Sequence, residues 1–209
     1  MIVYTDPQGS DAWLSARRGV ITASRFRDCR DKLAKGSPSK TCIAYAMDVA
    51  RERVGGMAPA KFQSAPMRFG LQEEPQARIA LEIERGYVVE EAGFITDDDG
   101  RFGVSVDGLI GADGVVEIKT MVASETLFRA VVGGDASEYL DQCNGALWLL
   151  GRKWVDLALW APDLPAGQLT VVRIGRDDDL IEAMEADLIA FDRLVTEYES
   201  ALRAKVAAA

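Results

Sequence analysis

The chain has 209 residues, 48 % of them hydrophobic, and a mean hydropathy of −0.01, which suits one globular domain with a substantial core. Histidine is absent and Cys29, Cys42 and Cys143 have no paired spacing; this excludes histidine-based triads and dyads, His-ligated zinc, disulfide frameworks and iron–sulfur clusters. The formal net charge of −9 is uneven: residues 13–68 carry 12 Lys/Arg against 4 Asp/Glu, and residues 69–209 carry 12 against 27.

In chain order, the pattern predicts a first helix over 10–17, capped by Ser10 or Asp11. Past Gly19, Thr22 or Ser24 is predicted to cap a second helix reaching about Lys35. Gly36-Ser37-Pro38 breaks it, and Ser39 starts a third through Val54. Residues 66–85 read as a helix that begins or bends at Pro75, with Ile79, Leu81 and Ile83 on or near its buried side and Gly86 at its C-terminus. Strands are expected over Tyr87–Thr96 and Phe102–Ile110, joined by the turn Asp97-Asp98-Asp99-Gly100, and over Val115–Thr120 after Asp113-Gly114. Helices at about 123–132 and 136–150, strands Lys153–Ala161 and Gln168–Ile174, and a helix from Asp177 to about Ala204 complete the chain, with Ala207-Ala208-Ala209 fraying. This is a mixed α/β pattern, helices against a mixed sheet.

One domain over 1–209 is expected: a basic N-terminal helical part (1–68), a core (69–175) and a C-terminal helix (177–206). No apolar run is long enough to span a bilayer, and Met1–Asp6 lacks the layout of a signal peptide, so the expected location is cytoplasmic. A basic patch on an acidic body suits a polyanion held locally; a solvated helix face is the ordinary alternative.

The chemistry concentrates in Ser105-Val106-Asp107-Gly108 and Val116-Glu117-Ile118-Lys119. Glu117 and Lys119 are two apart on an apolar strand and share a face, and the turn brings Asp107 toward Glu117. Side-by-side carboxylates repel unless a divalent cation lies between them, and without sulfur or imidazole the donor set favours Mg²⁺ or Mn²⁺. Lys119 would orient or deprotonate a water, or stabilise charge on a phosphate; an ion pair with Glu117 or Asp107 is compatible with either. Thr22 and Ser24, at a predicted helix N-terminus, could receive a phosphate, and Ser24 as a plain N-cap is the other reading. Arg25, Arg27, Arg30, Lys32, Lys35 and Lys40 are candidate backbone contacts. Trp148, Trp154 and Trp160 read as core, Trp13 as packing beside Arg17, and Glu73 as an exposed acid.

Five blocks occur in one order: Gln8-Gly9-Ser10-Asp11-Ala12-Trp13 with Arg17-Arg18-Gly19-Val20-Ile21-Thr22-Ala23-Ser24; Phe69-Gly70-Leu71-Gln72-Glu73-Glu74-Pro75-Gln76-Ala77-Arg78; Ser105–Leu109; Val116–Lys119; and Asp141-Gln142-Cys143-Asn144-Gly145-Ala146-Leu147-Trp148. From residue 8 to about 160 the chain thereby resembles the phage lambda exonuclease family of alkaline exonucleases, within the PD-(D/E)XK superfamily. The resemblance implies a restriction-endonuclease-like core with a central mixed sheet of about five strands flanked by helices. It implies Mg²⁺ held by Glu74, Asp107, Glu117 and the Ile118 carbonyl, with Mn²⁺ able to substitute, and Lys119 as the catalytic lysine. Gln142 would position the lysine or the water, and Arg17 and Ser24 would grip a 5′-phosphate. Val106 stands where the motif usually has Pro, and Asn144 and Gly145 where relatives carry Gln and a larger residue.

The implied activity is digestion of the 5′-ended strand of duplex DNA to mononucleotides, leaving 3′ overhangs for phage-type recombination. The implied partners are double-stranded DNA ends, a homotrimer and a single-strand annealing protein, with no membrane. A restriction-like or structure-specific endonuclease, and a catalytically silent DNA-end-binding module, are the alternatives.

Overall fold

The computed structural model describes residues 1–59 and 64–208. Lys61, counted in the basic segment, and Ala209, the end of the tail expected to fray, lie outside the described residues. The elements are β1 (Ile2–Tyr4), α1 (Asp11–Ala16), β2 (Ile21–Thr22), a 3-10 turn (Ala23–Arg25), α2 (Phe26–Cys29), α3 (Lys40–Arg53) and α4 (Ala65–Arg85). Then follow β3 (Phe94–Thr96), β4 (Phe102–Ser105), β5 (Gly108–Ile110), β6 (Gly114–Thr120) and α5 (Ser124–Leu127), with a π turn at Phe128–Val132. A 3-10 turn (Ser137–Tyr139), α6 (Leu140–Leu150), β7 (Trp154–Trp160), β8 (Leu169–Gly175) and α7 (Asp178–Ala207) end the chain. No described helix is long and apolar enough to cross a membrane.

The chain divides into two compact units, one drawn from Met1–Ala60, Gly93–Ser105 and Asp177–Ala209, the other from Lys61–Ala92 and Val106–Arg176. In the first, a four-stranded sheet runs β1-β3-β4-β2, with β2 parallel to β4 and the other pairs antiparallel. Its core includes Phe26 edge-on to Phe102 at 6.3 Å and Tyr45 stacked on Phe191 of α7 at 5.3 Å. Buried Asp192 of α7 pairs with Arg53 at 2.8 Å and also with Arg101.

The second unit carries the sheet β5-β6-β7-β8, in which the central pair β6–β7 is parallel and both outer pairs are antiparallel. One face packs Val116, Ile118, Ala158 and Trp160 against Ala77 and Leu81 of α4 and against Val89. That leaves Glu117 and Lys119 on the other face, as the two-residue period of a strand requires. At the far end of β7, fully buried Asp156 receives both arms of Arg173, at 2.7 and 2.8 Å, and the Tyr87 hydroxyl at 2.8 Å.

The mixed α/β class is as expected, but its strands form two sheets of four rather than one of about five. The expected strand Phe102–Ile110 breaks at Val106-Asp107, so β4 pairs in one sheet and β5 in the other. The predicted helix from Thr22 or Ser24 to Lys35 is also replaced, by a 3-10 turn and four-residue α2, followed by a Lys32–Pro38 bridge. By contrast, α4 runs unbroken through Pro75, capped by Ser64 and by Gly86 at φ +70°. Ala77 and Leu81, one turn apart, face inward, so Ile79 and Ile83 are exposed (49 % and 78 %) rather than on the buried side.

Candidate active site

Strand β6 is held on both edges, which makes it a rigid mount for side chains: Val116 pairs with Gly108 and Glu117 with Leu157. Glu117 is 4 % exposed, an expensive place for a carboxylate unless it is answered. Two donors answer it: Lys119 Nζ lies 2.8 Å from Glu117 Oε1, and Gln142 Nε2 donates to the same oxygen at 2.5 Å. Lys119 Nζ also donates to Gln142 Oε1 at 3.0 Å, closing a triangle between β6 and α6. The Tyr139 ring, one turn before Gln142, faces the ammonium at 5.7 Å.

Asp107 lies just before β5, not within a strand as expected. Its backbone N–H donates to the Val116 carbonyl at 3.2 Å, and its Oδ2 accepts from the Ile118 N–H at 2.6 Å. Both bonds fix the carboxylate beside the Glu117–Lys119 segment. Gly108 follows because Val89 fills the space a side chain would take: a Cβ there would lie 2.0 Å from Val89 Cγ1. Gly108→Ala is therefore expected to cost about 1–3 kcal/mol of stability, measured by urea unfolding, with the strain falling next to Asp107.

The electrostatics are those of crowded acids. Burial, then Glu117, then Glu74, push the Asp107 carboxyl well above its ordinary value, and the Ile118 N–H and Lys119 only partly oppose this. Burial raises Glu74 too; the hydrogen bond from Arg78 and its charge work against the rise, and Glu117 adds to it. Burial would lower the Lys119 ammonium, yet the charge and hydrogen bond of Glu117, then Asp107, carry it above its usual value. Lys119 is thus a firmly held ammonium.

Glu74 shares this field but not the triangle. Its Oε1 accepts from Arg78 Nη2 at 2.9 Å, and among the described residues no three acidic or thiol side chains stand as a ready-made metal cluster. Glu73, expected to be exposed, instead accepts from the Trp160 indole at 3.2 Å. A divalent cation fits the donor chemistry: burial and neighbouring acids raise the carboxyls of Asp107 and Glu74, and these oxygen donors beside Glu117 suit a hard cation that would offset their repulsion.

The residues expected at a 5′-phosphate lie in the first unit. The Arg17 guanidinium stacks 4.2 Å over the Trp13 ring and 5.0 Å over Phe94, and its Nη1 donates to Ser105 Oγ at 3.0 Å. Desolvation lowers the Arg17 pKa, with Tyr45 acting the other way. Ser105 was not singled out in the sequence, though it heads the Ser105–Gly108 motif. Thr22 is buried, its N–H donates to the Tyr45 hydroxyl at 3.1 Å, and its Oγ1 lies 3.4 Å from Oγ of exposed Ser24. Neither hydroxyl caps a long helix, contrary to the expected helix N-terminus at Thr22 or Ser24. Of the candidate DNA-backbone cations, Arg25 pairs with Asp28, and Arg30 and Lys32 pair with Asp187.

Residues 12–153 match the YqaJ-like viral recombinase domain. The alkaline exonuclease LHK-Exo from Laribacter hongkongensis is 32 % identical, with a TM-score of 0.83 over 96 % of this chain and 100 % of that one; its complex with dAMP matches equally well. A phage-related exonuclease from Haemophilus somnus 129PT shares the fold at 16 % identity and TM-score 0.67, over 90 % of this chain and 96 % of that one. No curated protein matches. The mixed α/β fold agrees with these likenesses, and the chain belongs to the YqaJ-like viral recombinase family.

Proposed function

We propose that this nuclease is a Mg²⁺-dependent exonuclease that digests the 5′-ended strand of duplex DNA to mononucleotides, leaving 3′ overhangs for recombination by strand annealing. Its family and its identity to an alkaline exonuclease support a phosphodiester hydrolase acting on DNA. The observation that carries the reading is the Glu117–Lys119–Gln142 triangle next to Asp107, which sets a buried carboxylate and an ammonium beside a second carboxylate.

Asp107, Glu117 and the Ile118 carbonyl would hold the cation, with Glu74 joining directly or through water. A bound Mg²⁺ supplies Lewis acidity toward the phosphodiester and acidifies water. Glu117 is paired with Lys119 and would also be a ligand of such an ion. Lys119, already an ammonium, then orients the attacking water by hydrogen bonding and stabilises negative charge building on the phosphate. Gln142 bonds both side chains, so it would keep the lysine aimed at the water. Arg17, flattened on Trp13 and Phe94, presents a pre-organised fork for a terminal 5′-phosphate, with Ser105, Ser24 and Thr22 as hydroxyl partners. A homotrimer threaded on DNA and an annealing partner belong to the same proposal by analogy.

The test is end-labelled linear duplex carrying a 5′-phosphate or a 5′-hydroxyl, incubated with Mg²⁺ and read by product length. Mononucleotides released from the 5′ end, faster from the phosphorylated form, are expected, with covalently closed circles left intact. Linearised circles would favour an endonuclease; end binding without nucleotide release would favour a silent module. Arg17→Ala is expected to erase the preference for 5′-phosphate, raising KM for such ends by about 10–100-fold as a charge-assisted contact is lost.

A further inference from the structure

Arg78 lies one helical turn after Glu74 on α4 and joins two carboxylates of unlike surroundings. Its Nη2 binds Glu74 Oε1 at 2.9 Å, both side chains being largely buried (17 % and 19 % exposed). Its Nη1 binds Glu91 Oε1 at 2.8 Å, and Glu91 is 84 % exposed. Arg78 Nε is buried and has no partner. The guanidinium therefore holds an acid that the crowded carboxylate field would otherwise drive toward any available cation, and it keeps a second counter-charge in water if Glu74 leaves.

We propose that Arg78 is a positioning residue that holds Glu74 back from the cation site, and that Glu91 is the counter-charge that lets it let go. This rests on the reading of Asp107, Glu117 and Glu74 as cation ligands. It explains why no three acids stand gathered among the described residues while Glu74 still feels Glu117. Asp107 and Glu117 would hold the cation, and Glu74 would join them only by giving up its bond to Arg78. Arg78 remains compensated by Glu91 throughout, so the exchange leaves no bare buried charge.

The experiment is Mn²⁺ titration calorimetry on DNA-free protein, so that no turnover is involved. Arg78→Gln removes the competing guanidinium and is expected to tighten Mn²⁺ binding by about 3–10-fold. Glu91→Gln, at an exposed position where folding is not at risk, strengthens the hold of Arg78 on Glu74 and is expected to weaken binding by about 2–5-fold. Both effects should vanish in a Glu74→Gln background, where a general field effect would persist. Unchanged affinity in Glu91→Gln, weaker or unchanged affinity in Arg78→Gln, or effects that survive Glu74→Gln would overturn the inference while leaving the cation site standing. A parent protein that binds no Mn²⁺, or an Asp107→Asn variant that binds it as tightly as the parent, would remove the cation site and the inference together.

Discussion

Lys119→Ala is expected to lower kcat by about 10²–10⁴-fold while leaving the affinity for duplex ends within a few-fold of the parent. The lysine sits on β6 with its ammonium bonded at 2.8 Å to Glu117 and at 3.0 Å to Gln142, while the proposed hold on the DNA end is assigned to a different residue, Arg17. Removing it strips the positive charge that would meet the phosphate in the transition state but not the groups that hold the end. It also leaves 4 % exposed Glu117 with only the Gln142 amide, so the metal-free variant should be less stable, and added Mg²⁺ should recover much of that loss. Single-turnover cleavage and end binding in Ca²⁺ separate these effects. Equal loss of binding and cleavage, with the Mg²⁺-loaded fold intact, would mean that the lysine grips DNA rather than assisting the reaction.

Asp107→Asn is expected to have opposite effects on activity and on stability. Cleavage should fall by about 10³-fold or more, because a carboxylate assigned to the cation is lost. The metal-free fold should gain stability, because burial and the neighbouring Glu117 and Glu74 charges hold the Asp107 carboxyl well above its ordinary value. A raised carboxyl keeps its proton in the folded state after the unfolded chain has released its own. The stability linked to that proton is complete below the unfolded Asp pKa of about 4 and is lost as pH rises through the folded value. Asparagine needs no proton to be neutral and can still accept from the Ile118 N–H. The gap between variant and parent in Tm should therefore open with rising pH in EDTA and close or reverse when Mg²⁺ is added. A variant less stable than the parent at every pH in EDTA would show that the acids are not in conflict.

The core of the candidate site was legible because its signal is local. A two-residue period puts Glu117 and Lys119 on one face, the apolar neighbours Val116 and Ile118 fix that face, and the Asp113-Gly114 turn brings β6 back beside Asp107. Ser10, Ser39 and Gly86 announced helix ends by side-chain and backbone chemistry, and each caps as expected. What escaped depends on partners distant in sequence. Arg17 and Ser105 are 88 residues apart, and Glu73 is drawn inward by the indole of Trp160, 87 residues on. The break at Val106-Asp107 could not be read from an apolar run that continues on both sides of it. The missing second helix reflects competition: Ile21 and Thr22 pair with β4 instead, and Thr22 gives its N–H to Tyr45. Ile79 and Ile83 were misassigned by hydrophobicity alone, although Ala77 and Leu81, four apart, already marked the inward stripe.

The most direct measurement is a crystal soaked in Mn²⁺ and recorded near the manganese absorption edge. An anomalous peak bridging the carboxylates of Asp107 and Glu117, with the lysine still bonded to Gln142, is the predicted result. No peak at those carboxylates under conditions that support DNA cleavage would contradict the account.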